Sequence, residues 1–174
     1  MGFELGIRAG HHSIQFEALT QVGQRPRGIA WEPGNEDILV CNEAENSVSI
    51  ISAFSLEVRK ELVAFLYAPF EVCITPRQAN FGFQRNVYFA YILNRSGDVA
   101  VFESGPDDVN GWGYDDLIGV TPHTFQNPKT IQPDYTDLRG GFWVLHEGPI
   151  DLINDEPGDL GVPAATNCAF ITGA

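Results

Sequence analysis

The acidic, glycine-rich stretch DDVNGWGYDDLIG at residues 107–119 has residue types and spacing suited to metal binding. Calcium-binding loops place oxygen ligands at loop positions one, three, five and nine, with a backbone carbonyl at seven. Counting from Asp108 as position one, Asn110 stands at three and Asp116 at nine. Position five is Trp112, whose indole offers no oxygen. The spacing therefore predicts a weak calcium site, with Asp108, Asn110 and Asp116 as the side-chain ligands.

A second interpretation of this stretch is a glycine-rich bulge whose carboxylates face water. Trp112 and Tyr114 offer large apolar surfaces, and packing them on a neighbouring strand stabilises the loop without any ion. We therefore expect packing and turn geometry to order the loop, with no cofactor needed and calcium as the alternative.

Other residues capable of nucleophilic or metal chemistry form no recognisable motif. The sequence lacks GxSxG, and the histidine pair at 11–12 is predicted to be exposed rather than metal-binding. The cysteines Cys41, Cys73 and Cys168 lack CxxC spacing and have apolar neighbours, which predicts small buried residues rather than ligands of zinc, haem or an iron–sulfur cluster. No catalytic residue is predicted.

Composition and charge narrow the class of partner. The 174 residues carry 23 acidic against 10 basic side chains, a net charge of -13. Nucleic-acid partners need a basic surface, so the sequence predicts none. No apolar run approaches the roughly 20 residues that span a bilayer, and the first residues lack the pattern of a signal peptide. We expect no transmembrane segment, and the acidity fits a secreted or periplasmic protein.

Apolar segments bounded by prolines recur along the chain and indicate how the candidate residues are positioned. PRGIAWEP at 26–33 returns as PFEVCITP at 69–76 and, more faintly, as PKTIQPDY at 128–135. The first two are each followed by a short apolar segment, a polar turn and an alternating segment, as in successive antiparallel strands. Pro26 and Pro69 lie 43 residues apart. A period near this length with about four strands per unit is typical of β-propeller blades.

Residues 17–104 resemble a known repeat family. The stretch ALTQVGQRPRGIAWEPGNEDILVCNEAENSVSIISAFSLEVRKELVAF looks like a blade of the YVTN-type β-propeller repeats, related to NHL and quinoprotein-like propellers. The resemblance is carried by Val22-Gly23, Gly28-Ile29-Ala30, Val40-Cys41-Asn42 and the run Asn46-Ser47-Val48-Ser49-Ile50-Ile51. It implies an all-β propeller and an extracytoplasmic location, and it specifies no chemistry. The acidic loop is similar in turn to the FG-GAP type of calcium loop.

The repeat predicts one partial propeller domain spanning residues 1–174. Propellers close with about four to eight blades, whereas this chain supplies about three to four. The predicted parts are a blade end at 1–24, a blade at 25–66, a blade at 67–120 that contains the acidic insertion, and a degraded blade at 121–174. Uncovered strand edges pair with other chains or aggregate. We therefore expect missing blades or a protein partner to cover them.

In a propeller, the starts of first strands and the ends of second strands cluster around one mouth of the central channel, where loops on a rigid scaffold commonly bind ligands. The candidate binding residues at these positions are Arg27, Asn42, Glu43, Asn94, Arg95, Lys129, His146 and Glu147. Polar residues also stand at strand ends simply because turns meet water. Two functions remain open: a noncatalytic scaffold or protein-binding module, and a metal-dependent, lactonase-like enzyme that uses Glu43, Asn94, His146 and Glu147.

Overall fold

The computed structural model describes residues 5–6, 13–14, 18–79, 86–106, 115–121, 123–136, 140–147, 150–152 and 166–171. Within these ranges the chain is all-β, as the sequence predicts, and holds no helix. No described segment meets the length and apolarity of a membrane-spanning helix. The strands are β1 (Leu5–Gly6), β2 (Ser13–Ile14), β3 (Pro26–Glu32), β4 (Asp37–Asn42), β5 (Ser47–Ser52), β6 (Val58–Leu62), β7 (Pro69–Ile74), β8 (Gln78–Ala79), β9 (Asn86–Val87), β10 (Phe89–Asn94), β11 (Val99–Glu103), β12 (Leu117–Val120), β13 (His123–Phe125), β14 (Thr130–Pro133), β15 (Phe142–Glu147), β16 (Ile150–Leu152) and β17 (Thr166–Ile171).

The first sheet is a four-stranded antiparallel meander, β3-β4-β5-β6. Each strand pairs with the next along the chain, and Leu39 lies opposite Ile50 on one face. The β-branched residues of β4 and β5 suit such a surface, since their stiff side chains pack well on a pleated sheet. Pro26 begins the first strand, where a missing N–H is tolerated.

The second sheet repeats this arrangement in the order β7-β10-β11-β12, and Pro69 begins its first strand. The prediction of two successive four-stranded antiparallel units is therefore confirmed. The short hairpin β8-β9 is inserted between its first and second strands. Strand β12 pairs with β11, so the acidic stretch connects the third and fourth strands of this sheet. The second unit thus extends to Val120.

The third unit departs from the pattern, as its degraded sequence suggests. Its sheet has three strands, β14-β15-β17, and β13 pairs separately with β16. The strand β17 comes from the segment 148–174, in which the sequence shows no repeat, and it pairs with β15 along six residues from Phe142↔Ile171 to Glu147↔Thr166.

Two apolar cores hold the three sheets together face to face. The core between the first and second sheets contains Leu39, Ile50, Val72 and Ile92 among others. The core between the second and third sheets contains Phe89, Leu93, Phe125, Ile131 and Val144 among others. Sheet two is therefore packed on both of its faces.

The first strands of the three sheets lie side by side, with β7 between β3 and β14. Gly28 on β3 permits the close approach of β3 to β7, because a Cβ at this position would stand 2.6 Å from the Cα of Glu71 and 2.9 Å from the carbonyl oxygen of Phe70. The buried positions of Cys41 and Cys73 in these cores confirm the predicted burial of both thiols. Burial raises the pKa of each thiol well above its usual range.

Candidate functional site

The candidate binding residues stand at corresponding ends of the three sheets. Pro26 pairs with Asn42 in the first sheet and Pro69 pairs with Asn94 in the second, so first-strand starts meet second-strand ends. In the third sheet Thr130 pairs with Leu145. We call this end of the sheets the strand-start end.

A cluster of three arginines around one carboxylate occupies the strand-start end where the first two sheets meet. The Glu43 carboxylate accepts hydrogen bonds from Arg27 Nε at 2.9 Å through Oε2 and from Arg95 Nε at 2.7 Å through Oε1, and its Oε2 forms an ion pair with Arg25 Nε at 3.2 Å. We call these four residues the arginine cluster. The sequence predicted Arg27, Glu43 and Arg95 at one mouth, and the structure brings these three into direct contact.

The electrostatics of the arginine cluster favour an ionised Glu43. Its hydrogen bond with Arg95 lowers its pKa most, and Arg27 and Arg25 lower it further, although the burial of the carboxylate acts in the opposite direction. The Glu43 side chain is only 9% exposed. An acceptor so enclosed by guanidinium groups keeps its charge because each arginine favours the anionic form.

Backbone and ring contacts hold Arg25 and Arg95 in the arginine cluster. Arg25 adopts a left-handed backbone conformation, with φ of 55°, just before β3, and its carbonyl accepts from the Glu43 N–H at 3.2 Å. The Arg95 guanidinium lies over the ring of Phe70, with its central carbon 3.8 Å from the ring centroid, which is a cation–π contact. The sequence gives no signal for the roles of Arg25 and Phe70 beyond their places beside the two first-strand prolines.

Asn42 and Asn94 reach the strand-start end but are buried in its turns. The Asn42 amide donates to the hydroxyls of Ser47 at 3.1 Å and Ser49 at 2.8 Å. Asn94 donates to the carbonyl of Phe65 at 3.0 Å and to Asp98 at 3.0 Å. Both side chains are fully buried. Asn42 thus binds side chains of the adjoining strand β5, whereas Asn94 binds the turns before β7 and after β10.

His146 and Glu147 end the second strand of the third sheet. His146 is buried, and its ring lies 5.3 Å from that of Phe125, centroid to centroid. The Phe125 N–H donates to the carbonyl of Gly97 at 2.9 Å, which ties this position to the turn after Asn94. Glu147 instead forms an exposed ion pair with Lys129 at 3.2 Å, of the kind that adds little stability.

Most of the acidic loop lies outside the described residues. The predicted ligands Asp108 and Asn110 are in the part that is not described. Asp116 is described and exposed, and its carbonyl accepts from the Glu103 N–H at 3.0 Å. In the described part of the chain, no group of three or more His, Cys, Asp or Glu side chains is placed to hold a metal ion. The calcium site therefore stays a prediction.

A second charged cluster, which sequence reasoning missed, lies where this loop rejoins β12. Arg59 of β6 binds the buried carboxylates of Asp37, at 2.8 Å from its Nε, and Asp115, at 2.9 Å from its Nη1. Nearby Glu32 is buried and accepts from the N–H groups of Asn35, at 2.8 Å, and Gly34. Burial raises the pKa of Glu32 to about 7 despite these two hydrogen bonds, and the charges of Asp37 and Asp115 raise it further.

An open groove of about 380 Å³ follows the first strands of the three sheets. Trp31 on β3 and Tyr135 after β14 are exposed aromatic residues that border it. Its other lining residues are Ile29, Ala30, Pro33, Val72, Cys73, Ile74, Thr75 and Gln132. The groove therefore runs along the first strands, where the three sheets come together.

Comparison with known proteins gives no direct guide to function, since no protein-family model matches the chain and no curated protein matches its sequence.

Proposed function

We propose that this chain is a noncatalytic β-propeller segment that serves as a scaffold or protein-binding module in an extracytoplasmic assembly. Its two successive four-stranded antiparallel sheets, with first strands side by side, support the propeller architecture. The location is supported by the resemblance of the repeat to YVTN-type propellers and by the acidity of the chain.

A partly exposed apolar row on one face of the first sheet carries this proposal. A cross-strand row of apolar side chains runs through all four strands, with Trp31 opposite Ile38, Ile38 opposite Ile51 and Ile51 opposite Val58. We call these four residues the outer-face row. Trp31 and Val58 at the two ends of the row are 60% and 40% exposed, Ile38 is half-buried and Ile51 is buried, whereas the second sheet is packed on both faces.

A further β-sheet is the occupant that fits the outer-face row. The opposite face of the same sheet packs on a sheet of equal strand number, so both faces of this sheet present the apolar rows that sheet-on-sheet packing needs. Covering one exposed large apolar side chain, such as Trp31 or Val58, stabilises an interface by about 1–3 kcal/mol. Repeat units of this kind bury their faces against neighbours.

Self-association of the chain tests the proposal, because without another partner its own copies are the available sheets. Light scattering across a concentration series should detect association, and Trp31→Glu should weaken it at least about tenfold, since about 1.4 kcal/mol corresponds to that factor. Phe54→Glu is the matched control, because Phe54 is equally apolar and 79% exposed but lies in the turn after β5. A compact monomer that melts cooperatively at every concentration contradicts the proposal.

A further inference from the structure

The arginine cluster has more positive charge than its own carboxylate can neutralise. Three guanidinium groups converge on one Glu43 carboxylate, so two positive charges stay uncompensated within the cluster. The carboxylate in the adjoining turn, Asp98, accepts instead from Ser96 and Asn94. In a chain of net charge -13, the four side chains of the cluster together carry a net charge of +2.

The way the arginines bind Glu43 leaves their outer edges available. Each ion pair to Glu43 is made through the arginine Nε, and a guanidinium carries five N–H donors. These contacts use one donor of each guanidinium, and the N–H donors of its two Nη groups can serve a further acceptor. The side chains of Arg25, Arg27 and Arg95 are 63%, 46% and 44% exposed, so these pairs are within reach of solvent and of a ligand.

We propose that the arginine cluster is a binding site for the carboxylates of an acidic peptide segment. The Nη pair of a guanidinium forms two parallel hydrogen bonds with a planar carboxylate, which is the geometry of the strongest charged hydrogen bonds. Glu43 and the Phe70 ring hold the guanidinium groups in place beforehand, which lowers the entropy cost of binding. Glu43 is a positioning residue in this site, and the arginines contact the ligand.

The charges of the cluster match one or two carboxylates at a time. The four side chains together carry two uncompensated positive charges, so one or two neighbouring carboxylates of an acidic segment neutralise them. The inference rests on the proposed function, because it names the acidic segment as the part of the protein partner that is recognised.

Fluorescence anisotropy with a labelled hexaglutamate peptide tests this site, and hexaglutamine is the neutral control. At low ionic strength hexaglutamate should bind at least about tenfold more tightly than hexaglutamine, because charge-assisted hydrogen bonds are worth about 1.5–3 kcal/mol. Arg25→Gln and Arg27→Gln should each weaken hexaglutamate binding about tenfold, while Arg77→Gln, an exposed arginine elsewhere, leaves it unchanged. Thermal melts of the variants confirm that each is folded.

Three results overturn the inference: no hexaglutamate binding at low salt, equal binding of hexaglutamine, or full affinity in both cluster variants. Inorganic phosphate provides a further arm. If phosphate displaces hexaglutamate well below the concentration at which sodium chloride of equal ionic strength does so, the site selects phosphate and the peptide assignment is wrong. If the chain associates through the outer-face row but does not bind hexaglutamate, only this inference is wrong. If the chain is monomeric but binds the peptide, only the proposed function is wrong.

Discussion

Gly28 controls how closely the first two sheets can approach, and Gly28→Ala tests that packing directly. The added Cβ would lie 2.6 Å from the Glu71 Cα, 2.9 Å from the Phe70 carbonyl oxygen and 3.0 Å from the Val72 nitrogen. All three are backbone atoms of β7, so no side-chain rotation relieves the contact. The two first strands must move apart instead.

The size of the effect follows from that geometry. Carbon atoms in contact normally lie about 3.5–4.0 Å apart, so the strands must separate by about 1 Å. Overpacking of a well-packed interior costs about 1–3 kcal/mol, and we expect the upper end here, because a shift of β3 disturbs the apolar core between the sheets. For a chain of this length, about 3 kcal/mol lowers Tm by about 6–12 °C.

Gly119→Ala is the matched control, because a Cβ on this strand glycine meets nothing within 4 Å. Alanine restricts the unfolded chain more than glycine, so this substitution should leave stability unchanged or raise it by up to about 1 kcal/mol. Thermal melts followed by circular dichroism, together with urea unfolding, measure both variants. If Gly28→Ala melts within 2 °C of the parent chain, or behaves like the control, the close approach of β3 and β7 is wrong.

Two further predictions concern the charged cluster around β6. Arg59→Ala should lower the free energy of unfolding by about 2–3 kcal/mol, because it removes the guanidinium that pairs with the buried Asp37 carboxylate. The control Arg77→Ala, at an exposed position, should lower it by no more than about 0.5 kcal/mol in the same urea unfolding experiment. Equal effects of the two substitutions contradict the pairing of Arg59 with Asp37. The folded-state pKa of Glu32 is about 7 against an ordinary 4.5, so the folded chain binds the proton more tightly and stability from this group falls as pH rises from 4.5 to 7. Glu32→Gln should remove that part of the pH dependence, and the control Glu36→Gln, at an exposed position, should not. Parallel plots of unfolding free energy against pH for Glu32→Gln and the parent chain refute the raised pKa.

Local patterns in the sequence were sufficient for the two four-stranded sheets. Apolar alternation in β5, with Val48 and Ile50 on one face, and the prolines Pro26 and Pro69 at the strand starts predicted the elements and their order. Neighbouring strands of a meander are joined by short turns, so sequence order fixes their pairing. The third unit escaped prediction because β17 joins its sheet from a segment whose residues carry no repeat.

The candidate site was predictable only in outline. Repeat position placed Arg27, Glu43 and Arg95 at one end of the sheets, since first-strand starts meet second-strand ends in any antiparallel unit. The same position contains Asn42 and Asn94, and nothing in a repeat distinguishes a side chain that faces solvent from one that closes a turn. Both are buried, and their amides donate to neighbouring residues, Asn42 to Ser47 of β5 and Asn94 to the Phe65 carbonyl.

The contacts between sheets were decided by the tertiary structure alone. Arg95 reaches Glu43 across 52 positions of sequence, and Arg59 reaches Asp115 across 56. Such ion pairs depend on the angle and distance at which whole sheets pack, and these are set by many side chains in the apolar cores together rather than by any local pattern. The sequence by itself determined the strands and their order, whereas the packing of one sheet against the next determined which charges meet.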